Sequence, residues 1–159
     1  KGMRAKRVLI VDDDYVTIDA LRALLSNHGY ETAACQDGGR ALDLVCQGGW
    51  DLVILDLGLP SPDPGRVARF DGIKVLQWLG RLHRHVPVLV FTSNEDPEVA
   101  REAVEAGAVG VVRKGDPIKQ FLQAIEDATR LPAEPESKPP QSTPTTVIWQ
   151  DGSDRLTDS

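Results

Sequence analysis

The chain has 159 residues, 41% hydrophobic and 26% charged, which suits one globular domain with a tail and excludes a wholly disordered polymer. Its formal net charge of -6 excludes the basic surface needed to neutralise phosphates, so the chain is expected to bind no nucleic acid by itself. No apolar run is long enough to cross a bilayer, and the basic start is followed by too short an apolar run for a secretory signal, so a cytoplasmic protein is expected.

Arg7-Val8-Leu9-Ile10-Val11 reads as a first strand, apolar along its length as in strands covered on both faces. Asp12, Asp13 and Asp14 follow at once. Ile18, Leu21, Leu24 and Leu25 recur at helical spacing, with Gly29 as the stop. Residues 31–35 form a weaker second strand, and Ala41, Leu42 and Val45 mark a second helix. Residues 51–55 form a third strand that runs into Asp56. Asp71-Gly72 opens a third helix carrying Ile73, Leu76 and Leu79. Residues 86–91 form a fourth strand, followed by Thr92 and Ser93. Asp96-Pro97 opens a fourth helix marked by Val99, Ala100, Ala103 and Val104. Residues 109–112 form a fifth strand, followed by Arg113 and Lys114. Asp116-Pro117 opens a fifth helix carrying Ile118, Phe121, Leu122 and Ile125. In both Asp-Pro openings the carboxylate is expected to accept amide protons at the N-cap, with Pro in the first helical position.

The domain is expected to span residues 6–131. From Pro132 the composition turns to Pro, Ser and Thr, as in linkers, through a tail over 132–159. Within it residues 145–149 are β-branched with a final Trp, a short strand able to add to a sheet edge of this chain or of a second copy, so a homodimer is one available arrangement. Cys35 and Cys46 sit in apolar patterns without CxxC spacing and are expected to be two buried, reduced thiols. His28, His83 and His85 lie on or beside helices and are assigned no chemistry.

Five strands alternating with five helices imply right-handed crossovers and a parallel sheet. The expected fold is α/β, a (βα)5 flavodoxin-like doubly wound sheet of strand order 2-1-3-4-5. That order reverses between strands 1 and 3, which places a site just after Val11 and Leu55. The sequence puts Asp12, Asp13 and Asp56 there, joined by Thr92 and Lys114 from the ends of strands 4 and 5. Clustered carboxylates call for a cation, and an all-oxygen set without thiolate or imidazole suits Mg2+ rather than zinc. Taken singly, Asp12 to Asp14 are also fit to cap the first helix (Asp14 best of all), Thr92 is an ordinary strand residue and Lys114 a solvated lysine. Asp56 at a buried strand end has no such simple structural explanation.

The strings Val-Leu-Ile-Val-Asp-Asp-Asp, Val-Ile-Leu-Asp-Leu-Gly-Leu-Pro, Val-Phe-Thr-Ser and Val-Val-Arg-Lys, in this order over residues 6–130, resemble the landmarks of response-regulator receiver domains. The strand order given above leans on the same resemblance. It implies a phosphorylation-dependent signalling switch, not an enzyme with a separate substrate. Asp56 would be the nucleophile and phosphoacceptor. Asp13 would ligate Mg2+ directly, Asp12 largely through water, Asp56 by its carboxylate and Gly58 by its carbonyl. Thr92 would bond the phosphoryl oxygen, and Lys114 would pair with Asp56 and then with the phosphate. The implied donor is a phosphohistidine on a sensor histidine kinase or a phosphotransfer protein, and the readout a downstream protein contacting the helix 4, strand 5, helix 5 face.

Three departures from that family stand out. Gly115 replaces the proline that usually follows the lysine, which is expected to loosen or redirect the loop into helix 5. Val111 occupies the position often held by Tyr or Phe. Residues 61–70 separate Pro60 from Asp71, where the family usually has a couple of residues, and Arg66 or Arg69 could act there as a lid beside the phosphate. Competing readings are a phosphorylation-independent pseudo-receiver and a receiver fragment of a longer regulator. A haloacid-dehalogenase-like phosphatase is disfavoured, because its second Asp is replaced by Gly58.

Overall fold

The computed structural model describes residues 5–59, 71–82 and 86–130. The insert 61–70, His83, His85 and the tail with its expected strand at 145–149 lie outside them. Five strands, β1 (Arg7–Val11), β2 (Glu31–Cys35), β3 (Leu52–Leu55), β4 (Val88–Thr92) and β5 (Gly110–Arg113), alternate with five helices, α1 (Tyr15–Asn27), α2 (Gly38–Gln47), α3 (Asp71–Leu82), α4 (Pro97–Glu105) and α5 (Ile118–Arg130). All neighbouring strands are parallel, in the order β2-β1-β3-β4-β5. The expected fold and strand order are both present.

Alternation along the strands builds two cores. Leu9, Val11, Val53, Leu55, Val88 and Val90 face α2, α3 and α4. Val8, Ile10, Leu52, Ile54, Leu89 and Val112 face α1 and α5. Every residue of β3 is buried, so this strand lies between two helical layers. Burying each such side chain stabilises the fold by about 1.5–3 kcal/mol, against chain entropy.

Local chemistry sets the element ends. The Asp14 carboxylate accepts the Val16 amide and caps α1. At the other end of α1, Gly29 adopts φ 86°, and the Gly29 and Tyr30 amides donate to Ser26 and Leu25, the paired bonds of a Schellman ending. Asp96 caps α4 through the Glu98 amide, as expected. Asp116 does otherwise: its carboxylate turns back to accept the Arg113 amide. The fourth strand starts at Val88 rather than 86, because Pro87 has no amide proton for a ladder, although its carbonyl still accepts from Val53. Cys46 is a correction: it is exposed, while Cys35 is buried and both thiols are free. The inward face of α2 is set by Ala41 and Val45, and one residue beyond Val45 the helix has turned about 100° away from it.

The register brings the strand ends to one edge. Val11 lies between Cys35 and Leu55, and Thr92 pairs with Arg113. The residues that follow these strands therefore converge.

Candidate functional site

Asp12 leaves β1 almost fully buried, at 2% exposure. Its amide donates to the Cys35 carbonyl at 3.1 Å, and its Oδ1 accepts the Asp14 amide at 2.9 Å. Asp56 leaves β3 at 7% exposure. Its amide donates to the Val11 carbonyl at 2.9 Å, and its Oδ1 accepts the Gly58 amide at 3.1 Å. These main-chain bonds fix both carboxylates to the two central strands.

Lys114 spans the pair. Its Nζ donates to Asp12 Oδ2 at 2.9 Å and to Asp56 Oδ2 at 3.4 Å. It also lies 5.9 Å from the Phe91 ring centroid, and that ring stacks on Phe121 at 4.5 Å. Thr92 is buried; its Oγ1 accepts the Asn94 amide at 3.2 Å, and its carbonyl accepts the Lys114 amide at 2.9 Å. The sequence-derived residues Asp12, Asp56 and Lys114 are thus in direct contact, with Thr92 tied to Lys114 through the main chain.

Burial is the largest influence on Asp56 and pushes its pKa up; the Gly58 amide opposes this, the Asp12 charge adds to it, and Lys114 opposes it. For Lys114 burial favours the neutral amine, but the hydrogen bond to Asp12 and the charges of Asp56 and Asp12 prevail, and its pKa is raised. The site is therefore short of positive charge, with one ammonium shared between two buried carboxylates.

Asp13 is exposed at the rim, and one oxygen each from Asp12, Asp13 and Asp56 lie within 4.8 Å of one another. An octahedral Mg2+ with oxygens at about 2.1 Å spaces its ligands by roughly 3–4.2 Å, so carboxylates this close together could hold one. The donor set is all hard oxygen and fits. Gly58 is exposed beside this cluster. A Cβ there would stand 3.7 and 3.8 Å from the Asp56 carboxylate oxygens, so a side chain fits but would screen them from solvent.

Two positioning features were not legible beforehand. Gly72, read only as part of a helix opening, packs the start of α3 on the loop after Asp56. A Cβ at Gly72 would meet Leu57 Cα at 2.5 Å and the Asp56 carbonyl at 2.9 Å, and the Gly72 amide donates to Leu57 at 3.2 Å. The turn at Gly115 is closed by hydrogen bonds from both sides. The Asp116 amide donates to the Arg113 carbonyl at 3.0 Å, the Asp116 carboxylate accepts the Arg113 amide at 3.0 Å, and no described peptide is cis. Val111 is half-buried against the α2–α3–α4 core. The Arg113 guanidinium donates to the Glu95 carbonyl at 3.1 Å.

No described helix is long and apolar enough to cross a membrane. Residues 8–126 match the response regulator receiver domain family. The response regulator MprA of Mycobacterium sp. (strain KMS) is 32% identical over 124 residues, covering 78% of this chain and 50% of MprA. The transcriptional regulatory protein ZraR of Escherichia coli (strain K12) is 36% identical over 121 residues, covering 76% of this chain and 26% of ZraR. Among solved structures, the receiver domain of NtrX from Brucella abortus superposes with a TM-score of 0.67 at 28% identity, covering 77% of this chain and 98% of that one. The chain spans about half the length of MprA and about a quarter of ZraR. The strand-end landmarks, the sheet order and these matches agree: the chain belongs to the response regulator receiver domain family of two-component systems, with a signalling rather than a metabolic role.

Proposed function

We propose that this chain is a Mg2+-dependent phosphoacceptor switch in which Asp56 takes a phosphoryl group from a phosphohistidine on a sensor histidine kinase or phosphotransfer protein. The observation that carries this is the buried Asp56 carboxylate facing Asp12, with Lys114 as their shared ammonium. A carboxylate oxygen of Asp56 attacks phosphorus in line as the P–N bond to the donor imidazole breaks. Bound Mg2+ supplies charge neutralisation for the phosphoryl oxygens. Asp12, Asp13, Asp56 and the Gly58 carbonyl would hold the ion. Lys114 leaves its Asp56 contact to pair with the phosphoryl group, and Thr92 turns its hydroxyl from the Asn94 amide to the same group. Hydrolysis of the acyl phosphate at the same site would reset the switch.

Phosphorylation turns the singly charged Asp56 carboxylate into an acyl phosphate of about two negative charges with strong acceptor oxygens, where one ammonium already serves two carboxylates, which is enough to reorder the β4–α4 loop. The readout is a protein contact through the α4–β5–α5 face. That face exposes Val104, Val109 and Ile118. The receiver unit spans residues 6–131, and the tail 132–159 acts as a linker, for which its Pro, Ser and Thr content is the support. Incubation with Mg2+ and acetyl phosphate, read by intact mass, is the test. One phosphoryl adduct is expected, abolished by chelation and by Asp56→Ala. Absence of an adduct on folded protein, from both acetyl phosphate and a phosphohistidine donor, would overturn the reading.

A further inference from the structure

We propose that Asp116 is a positioning residue for Lys114, its carboxylate closing the Arg113–Asp116 turn that delivers the ammonium to Asp12 and Asp56. The role rests on the phosphoacceptor reading of Asp56.

Lys114 and Gly115 are the two central residues of a four-residue turn. Its ends are joined by the Asp116 amide donating to the Arg113 carbonyl at 3.0 Å. Gly115 contributes no restraint: it is exposed, and nothing lies within 4 Å of where its Cβ would be. A glycine next to the residue that carries the reacting charge widens the range of backbone conformations open to the turn. The Asp116 carboxylate narrows it. Oδ2 accepts the Arg113 amide at 3.0 Å, a second closure across the same turn. The Gln120 side-chain amide, one turn into α5, approaches that oxygen at 3.4 Å and holds the carboxylate toward the turn.

The upstream side is equally fixed. Arg113 is the last residue of β5, paired with Thr92, and the Lys114 amide donates to the Thr92 carbonyl at 2.9 Å. The base of the Lys114 side chain is thus held by β4 on one side and by Asp116 on the other. Its Nζ must reach two carboxylates at 2.9 and 3.4 Å, so play at the base becomes misplacement at the tip. Misplacement of about 1 Å at a reacting group can lower a rate by up to about a hundredfold. The carboxylate thereby supplies, by hydrogen bonding, the rigidity that a glycine at 115 gives up.

The test compares phosphorylation rates by acetyl phosphate at saturating Mg2+ with Mg2+ affinity from calorimetric titration. Asp116→Ala is expected to slow phosphorylation about tenfold, with no fall in Mg2+ affinity, because Asp12, Asp13 and Asp56 are placed by β1 and β3. Asp116→Asn keeps an oxygen that accepts the Arg113 amide and is expected to recover most of the rate. An unchanged rate in Asp116→Ala overturns the proposal. So does a loss of rate matched by an equal loss of Mg2+ affinity, or a rate in Asp116→Asn as low as in Asp116→Ala. If wild type takes no phosphoryl group from any donor, the phosphoacceptor reading fails first, and the role of Asp116 fails with it.

Discussion

At Asp56, a carboxylate with 7% exposure faces a second carboxylate and shares one ammonium with it. Burial, the largest influence, raises its pKa above the ordinary carboxylate value. A raised folded-state pKa means that the proton is held more tightly in the folded than in the unfolded protein. The associated stability is complete below the unfolded pKa and is lost as pH rises through the folded one. At neutral pH the charged Asp56 therefore opposes folding, and Asp56→Asn should raise the Tm of the metal-free protein; a lower Tm would show that the Lys114 pair outweighs burial. Cys35 follows the same sign. Burial first, then the Asp37 charge, lifts its thiol from 9.0 to about 11. Its contribution, on the order of 2–3 kcal/mol, is present below pH 9 and lost between about 9 and 11. Cys35→Ser should flatten the alkaline fall in stability over that window, and an unchanged fall would reject the assignment. The placement of Asp12, Asp13, Asp56, Thr92 and Lys114 at one edge of the sheet was legible in the sequence because each lies at or just beyond the end of a largely apolar strand. Asp116 was not, since Asp-Pro reads as a helix cap, and only geometry shows its carboxylate turned back to Arg113.

Among the elements, α3 carries the tightest constraint on the site. Its first turn lies against the peptide that follows Asp56, with Gly72 where a Cβ would come within 2.5 Å of Leu57 Cα and 2.9 Å of two carbonyl oxygens. These are backbone atoms, which cannot swing aside as a flexible side chain does. Gly72→Ala should therefore destabilise the fold by about 1–3 kcal/mol and displace Asp56 as well, slowing phosphorylation. Gly115→Ala is the control, because no atom within 4 Å meets its Cβ. If Gly72→Ala unfolds at the same denaturant midpoint as Gly115→Ala, the close packing is not a constraint. Strand order was legible only through the resemblance to receiver domains; the apolar runs of β1 and β3 agree with interior positions but do not by themselves order the sheet. The packing of Gly72 was not, since Asp-Gly before a helix is equally an ordinary opening.

Across the whole molecule, the buried charge and the sheet order are one design with opposing effects. The parallel sheet stacks the C-terminal ends of β1 and β3 side by side, which places Asp12 and Asp56 within reach of the same ammonium. The two helical layers keep water from them. A cation that binds only the folded arrangement then stabilises the entire domain through mass action, by about 2.7 kcal/mol at a hundredfold excess over its Kd. Mg2+ should accordingly raise the Tm of wild type in a concentration-dependent way. In Asp56→Asn that dependence should shrink sharply, so that the variant is the more stable protein without Mg2+ and loses its advantage as Mg2+ is added. A monovalent salt at equal ionic strength serves as the control for general screening. Thermal melts of both proteins across a Mg2+ series check this directly. Parallel curves, with the same Mg2+ dependence in wild type and Asp56→Asn, would mean that the ion does not sit among these carboxylates. Crossing curves would tie the instability of the apo site to the binding that relieves it.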